Sequence, residues 1–294
     1  MDSDPTYQLG RRGARALAAM KLPGPRAKLS RGLELRDELD RYIDQMLGPV
    51  ENRPSLALRV DGATSECVLY VNDVSDLSIL FTRVGILVGD VVHNMRSALD
   101  HLVYQLALIN TSGNVARPDR TQFPISDTRD RFEHATATDL AEVAPNHRAI
   151  IEGFQPYHPT EENTAVGVYF HPLAMLRGLS NTDKHRILTP VLIPSTRFSI
   201  DGPVAWLENL VIDYVARHTQ GELKVEAMVP GLVLARFHPP AGTVPAAPQP
   251  VGHASPTLAF EDGRPVVDVL DKIGGAVERV ISTFEALKDE ARQP

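Results

Sequence analysis

An α+β fold is what the order of patterns along the chain predicts. Apolar residues recur at helical spacing through most of residues 75–190, short β-branched or alternating runs dominate 191–262, and a periodic segment over 265–292 closes the chain as a helix. The expected architecture is a helical bundle core with an appended antiparallel β-sheet and a C-terminal helix. A chain of 294 residues, 43% apolar and 23% charged, has the composition of a globular protein and can bury a sizeable core. Residues 1–29 read as a basic flexible arm and 30–294 as a single α+β domain, without internal repeats.

In chain order, "LSRGLELRDELDRYIDQML" places Leu33, Leu35, Leu39, Tyr42, Ile43 and Met46 near helical spacing behind the potential cap Ser30. "SLALRV" and "ECVLYV" flank "DGATS", the pattern of a β-hairpin with one buried face. From Ser75 to Asn110 runs a long apolar-periodic segment, one central helix or two collinear ones, in which Gly85 and Gly89 either bend the helix or admit close packing. "TSGNVARPDRTQFPIS" has turn chemistry and is expected as a surface loop. Short helices should occupy 129–152, with Pro145 opening the second. "HPLAMLRGLSNTDKHRIL" resumes helical character, with Pro172 tolerated in the first turn and Pro190 as the stop. "VLIPSTRFSI", "AWLENLVIDYV", "ELKVEAMV", "LVLARF" and "TLAFEDG" read as strands, and the Pro/Ala-rich stretch 239–256 as a loop between them.

Charge and cysteine content bound the function. The formal charge of −7 argues against a general nucleic-acid coat. Residues 1–31, however, carry seven cations against Asp2 and Asp4, a net of +5 that leaves −12 for the remainder. Such an arm suits RNA or an acidic partner. The lone cysteine, Cys67, forms no intramolecular disulfide and supplies no zinc-site spacing, which fits a reducing compartment. With no secretory pattern at the start and no apolar run of spanning length, a cytoplasmic location and no membrane partner are expected.

"HNMRSALDHLVYQL", residues 93–106, is the stretch in which chemistry concentrates. On a helix, Val88, Val91, Val92, Met95, Leu99, Leu102, Val103 and Leu106 gather on one side, leaving Asp90, His93, Asn94, Arg96, Ser97, Asp100, His101 and Tyr104 on the other. Solvated helix faces are usually built of Lys and Glu, and neither occurs between Glu66 and Glu133. Imidazoles, a guanidinium and carboxylates give this face proton-transfer and anion-binding capacity instead. Arg96 and His101 project about 140° apart on an ideal helix and can flank one groove, or face their symmetry mates across a two-fold.

The Arg96–His101 spacing resembles the R-x4-6-H motif of the HEPN superfamily, helical domains that include metal-independent ribonucleases and toxin or antiphage effectors. The resemblance covers residues 75–190 and implies a homodimer. In it Arg96 would contact the scissile phosphate, and His101 would assist proton transfer as the RNA 2′-hydroxyl attacks, leaving a 2′,3′-cyclic phosphate. Ser97 departs from the pattern, since family members often carry Asn, Asp or His directly after the arginine, and the added sheet departs from wholly helical domains. "HNMRSALDH" with the later "DKHR" also resembles a type of uncharacterised bacterial protein, which implies no activity.

A second cluster, "LSNTDKHRIL", sets Asn181, Asp183, Lys184, His185 and Arg186 near the end of a helix. Cations there meet the negative end of the helix dipole, which accounts for Lys184, His185 and Arg186 but not for Asn181 and Asp183. Packed against the central helix, Asp183 and His185 can orient Arg96 and His101, and Lys184 can add charge near a phosphate. Three readings follow. The first is the metal-independent endoribonuclease, with no cofactor. The second is a non-catalytic module binding a nucleotide, RNA or protein partner, with Asp100 pairing Arg96 structurally. The third is a metal-dependent hydrolase using His93, His101 and His185, although His93 and His101 stand about 80° and two turns apart, awkward for one ion.

Overall fold

The computed structural model describes residues 22–64, 66–158, 171–194, 217–219, 222–224, 227–238 and 249–290. Among them six α-helices and eight strands appear, and the α+β expectation holds. The helices are α1 (Pro23–Leu47), α2 (Ser78–Asn110), α3 (Arg129–Thr138), α4 (Pro145–Gly153), α5 (Pro172–Asp183) and α6 (Val266–Glu290). The strands are β1 (Ser55–Val60), β2 (Cys67–Asp73), β3 (Val191–Pro194), β4 (Arg217–Thr219), β5 (Glu222–Lys224), β6 (Val233–Phe237), β7 (Gln249–His253) and β8 (Pro256–Ala259). No helix among the described residues is long and apolar enough to cross a membrane.

The described residues fall into two compact units, each assembled from segments far apart in sequence. Of the described residues, one takes those up to 36, from 88 to 186 and from 269 onward; the other takes those from 37 to 87 and from 187 to 268. The first is helical throughout its described elements, and the second holds all the described strands. Local patterns could not report this division, because three of its four limits fall inside α1, α2 and α6, and only the one after residue 186 lies in a connection.

In the helical unit, α1 begins seven residues before the expected cap. Pro23 fits a first helical turn, where its missing N–H is not needed, and Leu29 is fully buried. Residues 23–29 are therefore helix rather than part of a flexible arm, and residues 1–21 lie outside the described residues. Arg26 secures this early turn to α6. Its guanidinium donates to both Glu278 oxygens at 2.6 Å, to Glu285 at 3.0 Å through Nε, and to Ser282 Oγ at 2.8 Å. The hydrogen bonds from Arg26 hold the Glu278 carboxyl below the usual carboxylate range. Met95, Leu99, Leu102 and Val103 of α2 form the core with Ile273, Val277, Val280 and Ile281 of α6. His147 of α4 is buried there, with its ring edge-on to Phe284 at 5.8 Å.

In the strand-bearing unit, the hairpin β1–β2 lies at the centre of a four-stranded antiparallel sheet of order β6-β2-β1-β7. Leu56, Ala57 and Leu58 of β1 and Cys67, Val68 and Leu69 of β2 are all buried, so these strands lack the open face that alternation suggested. The Pro/Ala-rich stretch is corrected in part: Gln249–His253 is an edge strand, the place in a sheet where a proline such as Pro250 is tolerated, while the strand expected at "TLAFEDG" is found as Pro256–Ala259, paired with β3. Residues 239–248, the segment "AWLENLVIDYV" and the end of "VLIPSTRFSI" lie outside the described residues.

α2 is one continuous helix of 33 residues. Its glycines serve close packing rather than a bend. A Cβ on Gly85 would overlap the Leu188 carbonyl oxygen, and one on Gly89 would overlap the Asp183 carboxylate.

Alanine in place of glycine inside a helix normally stabilises by about 1 kcal/mol, yet Gly85→Ala should destabilise by about 1–3 kcal/mol in urea melts, because a backbone carbonyl must move. Gly89→Ala should cost less, since only the end of a side chain obstructs it. Burial pushes the His147 imidazole below its ordinary 6.5. The unfolded chain then takes up this proton at higher pH than the folded one, so stability should fall as pH drops below about 6.5. His147→Phe should flatten that part of the pH–stability curve.

Candidate functional site

The helical unit contains an open recess of about 370 Å3. Two helices present matching stripes to it. From α2 come His93, Arg96, Ser97 and Asp100, and from α5 and its cap come Arg177, Ser180, Asn181 and Lys184. Both sets follow the i, i+3, i+4, i+7 spacing of a single helix face. Gly89 explains why they share a recess: lacking a side chain, it lets Asp183, at the end of α5, pack against α2 just ahead of His93.

The remaining wall is the segment 122–125, with Asp139 at the end of α3. This segment was expected on the surface. Instead Phe123, Pro124, Ile125 and Ser126 are buried without regular secondary structure, so their backbone polar groups need partners other than water. Side chains supply four of them. Asp100 Oδ1 accepts from the Phe123 N–H at 2.9 Å, and Arg96 Nη2 donates to the Phe123 carbonyl at 2.6 Å. Pro124 has no N–H to satisfy. Arg177 Nη1 donates to the Ile125 carbonyl at 3.0 Å, and the Ser126 N–H donates to Gln155 Oε1 at 2.9 Å. Gln155 is itself buried and donates onward to the Ile151 carbonyl at 3.0 Å.

The two arginines are also paired. Arg96 meets Asp100 through Nη2 at 2.8 Å and Nε at 3.2 Å. Arg177 meets Asp127 at 2.6 Å. The Arg96 side chain is only 18% exposed, so this pair is held more tightly than an ordinary surface i,i+4 pair.

Of the residues singled out by sequence, the recess brings together His93, Arg96, Ser97, Asp100, Asn181 and Lys184. His101 does not line it. That imidazole is exposed and lies beside α1, where a Cβ on Gly24 would sit 3.2 Å from its Nδ1. Asn94 donates to the Asp90 carbonyl of its own helix at 2.8 Å. Tyr104 is half-buried and His185 exposed, both outside the recess lining. Asp183 packs on Gly89, so Arg96 is oriented by Asp100 and Phe123 rather than by Asp183 or His185. Among the described residues, no three His, Cys, Asp or Glu side chains gather closely enough to hold a metal ion. His93, His101 and His185 accordingly do not form a ligand set.

Sequence reasoning missed Arg177, Ser180, Gln122 and Asp139. The first two carried a usable signal, since "RGLSNTDK" repeats the polar spacing found in "HNMRSALD". Comparison with protein-family models, curated proteins and solved structures returned no match to this chain.

Removing the clamp should unfold the protein more readily. Asp100→Ala leaves the buried Phe123 N–H without its acceptor and Arg96 without its carboxylate partner, and should cost about 1–3 kcal/mol, read as a lower Tm. His101→Ala, outside the network, should leave the Tm within about 1 °C of wild type.

Proposed function

We propose that the recess binds a small phosphate-bearing ligand of nucleotide type and that the chain acts as a binding module. The observation that carries this reading is the convergence of two polar helix stripes on one recess, with Lys184 contributing a cation that has no ion-pair partner among the described residues. Arg96 Nη1 and Arg177 Nε make no hydrogen bond among the described residues, which leaves guanidinium edges for an anion. The volume of about 370 Å3 falls in the range usual for small-molecule sites.

The ribonuclease reading needs Arg96 and His101 at one scissile phosphate. It receives less support, because Arg96 is engaged by Asp100 and Phe123 and His101 stands outside the recess lining.

Calorimetric titration of the full chain with mononucleotides at low ionic strength should detect binding that weakens as salt is added. Lys184→Ala should weaken it about tenfold, the equivalent of about 1.4 kcal/mol. Absence of binding in wild type would overturn the proposal. So would RNA cleavage in the presence of EDTA that leaves cyclic phosphate ends and disappears in His101→Ala.

A further inference from the structure

Resting on the phosphate-site reading above, we infer that the recess selects the base as well as the phosphate, with Asp139 accepting the paired N–H donors of a guanine. The charge balance inside the recess points there. Arg96 is paired with Asp100, and Arg177 with Asp127, which the exposed Arg131 also approaches at 3.5 Å, so both recess arginines have a carboxylate partner. Two charged groups are left over: the cation of Lys184 and the carboxylate of Asp139. Among the described residues Asp139 has one side-chain partner, the Thr138 hydroxyl at 3.2 Å, and no basic group within 4.0 Å. Lys184 and Asp139 therefore line one recess without pairing with each other.

A simple anion such as inorganic phosphate satisfies Lys184 and the open guanidinium edges but leaves Asp139 without a donor and meets repulsion from it. A ligand carrying an anion at one end and N–H donors at the other satisfies both. A carboxylate accepts and never donates when ionised. Guanine places the N1–H and an N2–H side by side, so both carboxylate oxygens receive a hydrogen bond in the parallel arrangement that makes two-point recognition strong. Adenine and cytosine set a single amino donor beside a ring acceptor, which faces the second oxygen lone pair to lone pair. Of the polar groups around the recess, Asn181, Ser97 and Gln122 offer neutral donors and acceptors suited to a ribose.

The experiment is a titration of the full-length chain with GMP, AMP, CMP and inorganic phosphate, for wild type, Asp139→Asn and Asp139→Ser. Wild type should bind GMP about tenfold or more tightly than AMP or CMP, the worth of one additional charge-assisted hydrogen bond. Both variants should lose that margin while binding inorganic phosphate at least as well as wild type, because a repelling charge has gone. A purely structural role for Asp139 would instead lower every affinity together, and that outcome overturns the inference. Binding of phosphate and all three nucleotides without preference by wild type defeats base selection but leaves the phosphate site standing. If none of the four probes binds wild type, the phosphate-site reading fails and this inference fails with it.

Discussion

The helical unit depends on how a short extended segment, Phe123–Ser126, is kept out of water. Burying backbone without a ladder or a helix leaves donors and acceptors that each cost about 1–3 kcal/mol if unmatched. Here the partners are four side chains drawn from three places: Arg96 and Asp100 on α2, Arg177 on α5, and Gln155 just beyond α4. Each brings hydrogen-bonding capacity to the segment, and in return the segment fixes the distance between the elements that carry them. Proline at position 124 reduces the requirement by one donor.

The same arrangement makes the recess. Arg96, Asp100 and Arg177 face the segment with some of their atoms and open space with others, so the residues that hold the wall also line the cavity. A site built from side chains already fixed by internal hydrogen bonds has little rotamer freedom left to lose on binding. That preorganisation favours recognition. It also restricts chemistry: an arginine whose Nε and Nη2 are committed to Asp100 and Phe123 is a poor candidate for following charge as it moves during a reaction. Among the described residues, Lys184 and Asp139 line the recess without charged partners.

Glycine placement is the second constraint. Gly89 lets Asp183 approach α2, and this approach sets the two polar stripes around one cavity. Gly85 does the same service in the other unit for the backbone at Leu188, just ahead of β3. Periodicity alone left two uses open for these glycines, a bend or a close contact. An uninterrupted 33-residue helix selects the contact.

What the sequence by itself determined were the features governed by neighbours along the chain. The periodic cores of α2, α5 and α6, the hairpin around "DGATS", the opening of α4 at Pro145 and the concentration of polar chemistry on the His93–Asp100 face were all legible, because each follows from side-chain spacing or from a local backbone restriction. The tertiary structure alone decided that "TQFPIS" is buried, that Gln249–His253 is an edge strand, and that Arg177 rather than His101 joins Arg96 at the recess. These outcomes rest on hydrogen bonds and packing between residues about 23 to 200 positions apart, such as Asp100 with Phe123, Ile125 with Arg177, and β1 with β7. Burial turns a polar loop into structure only when partners arrive from elsewhere, and which partners arrive is a property of the folded arrangement that no local pattern encodes.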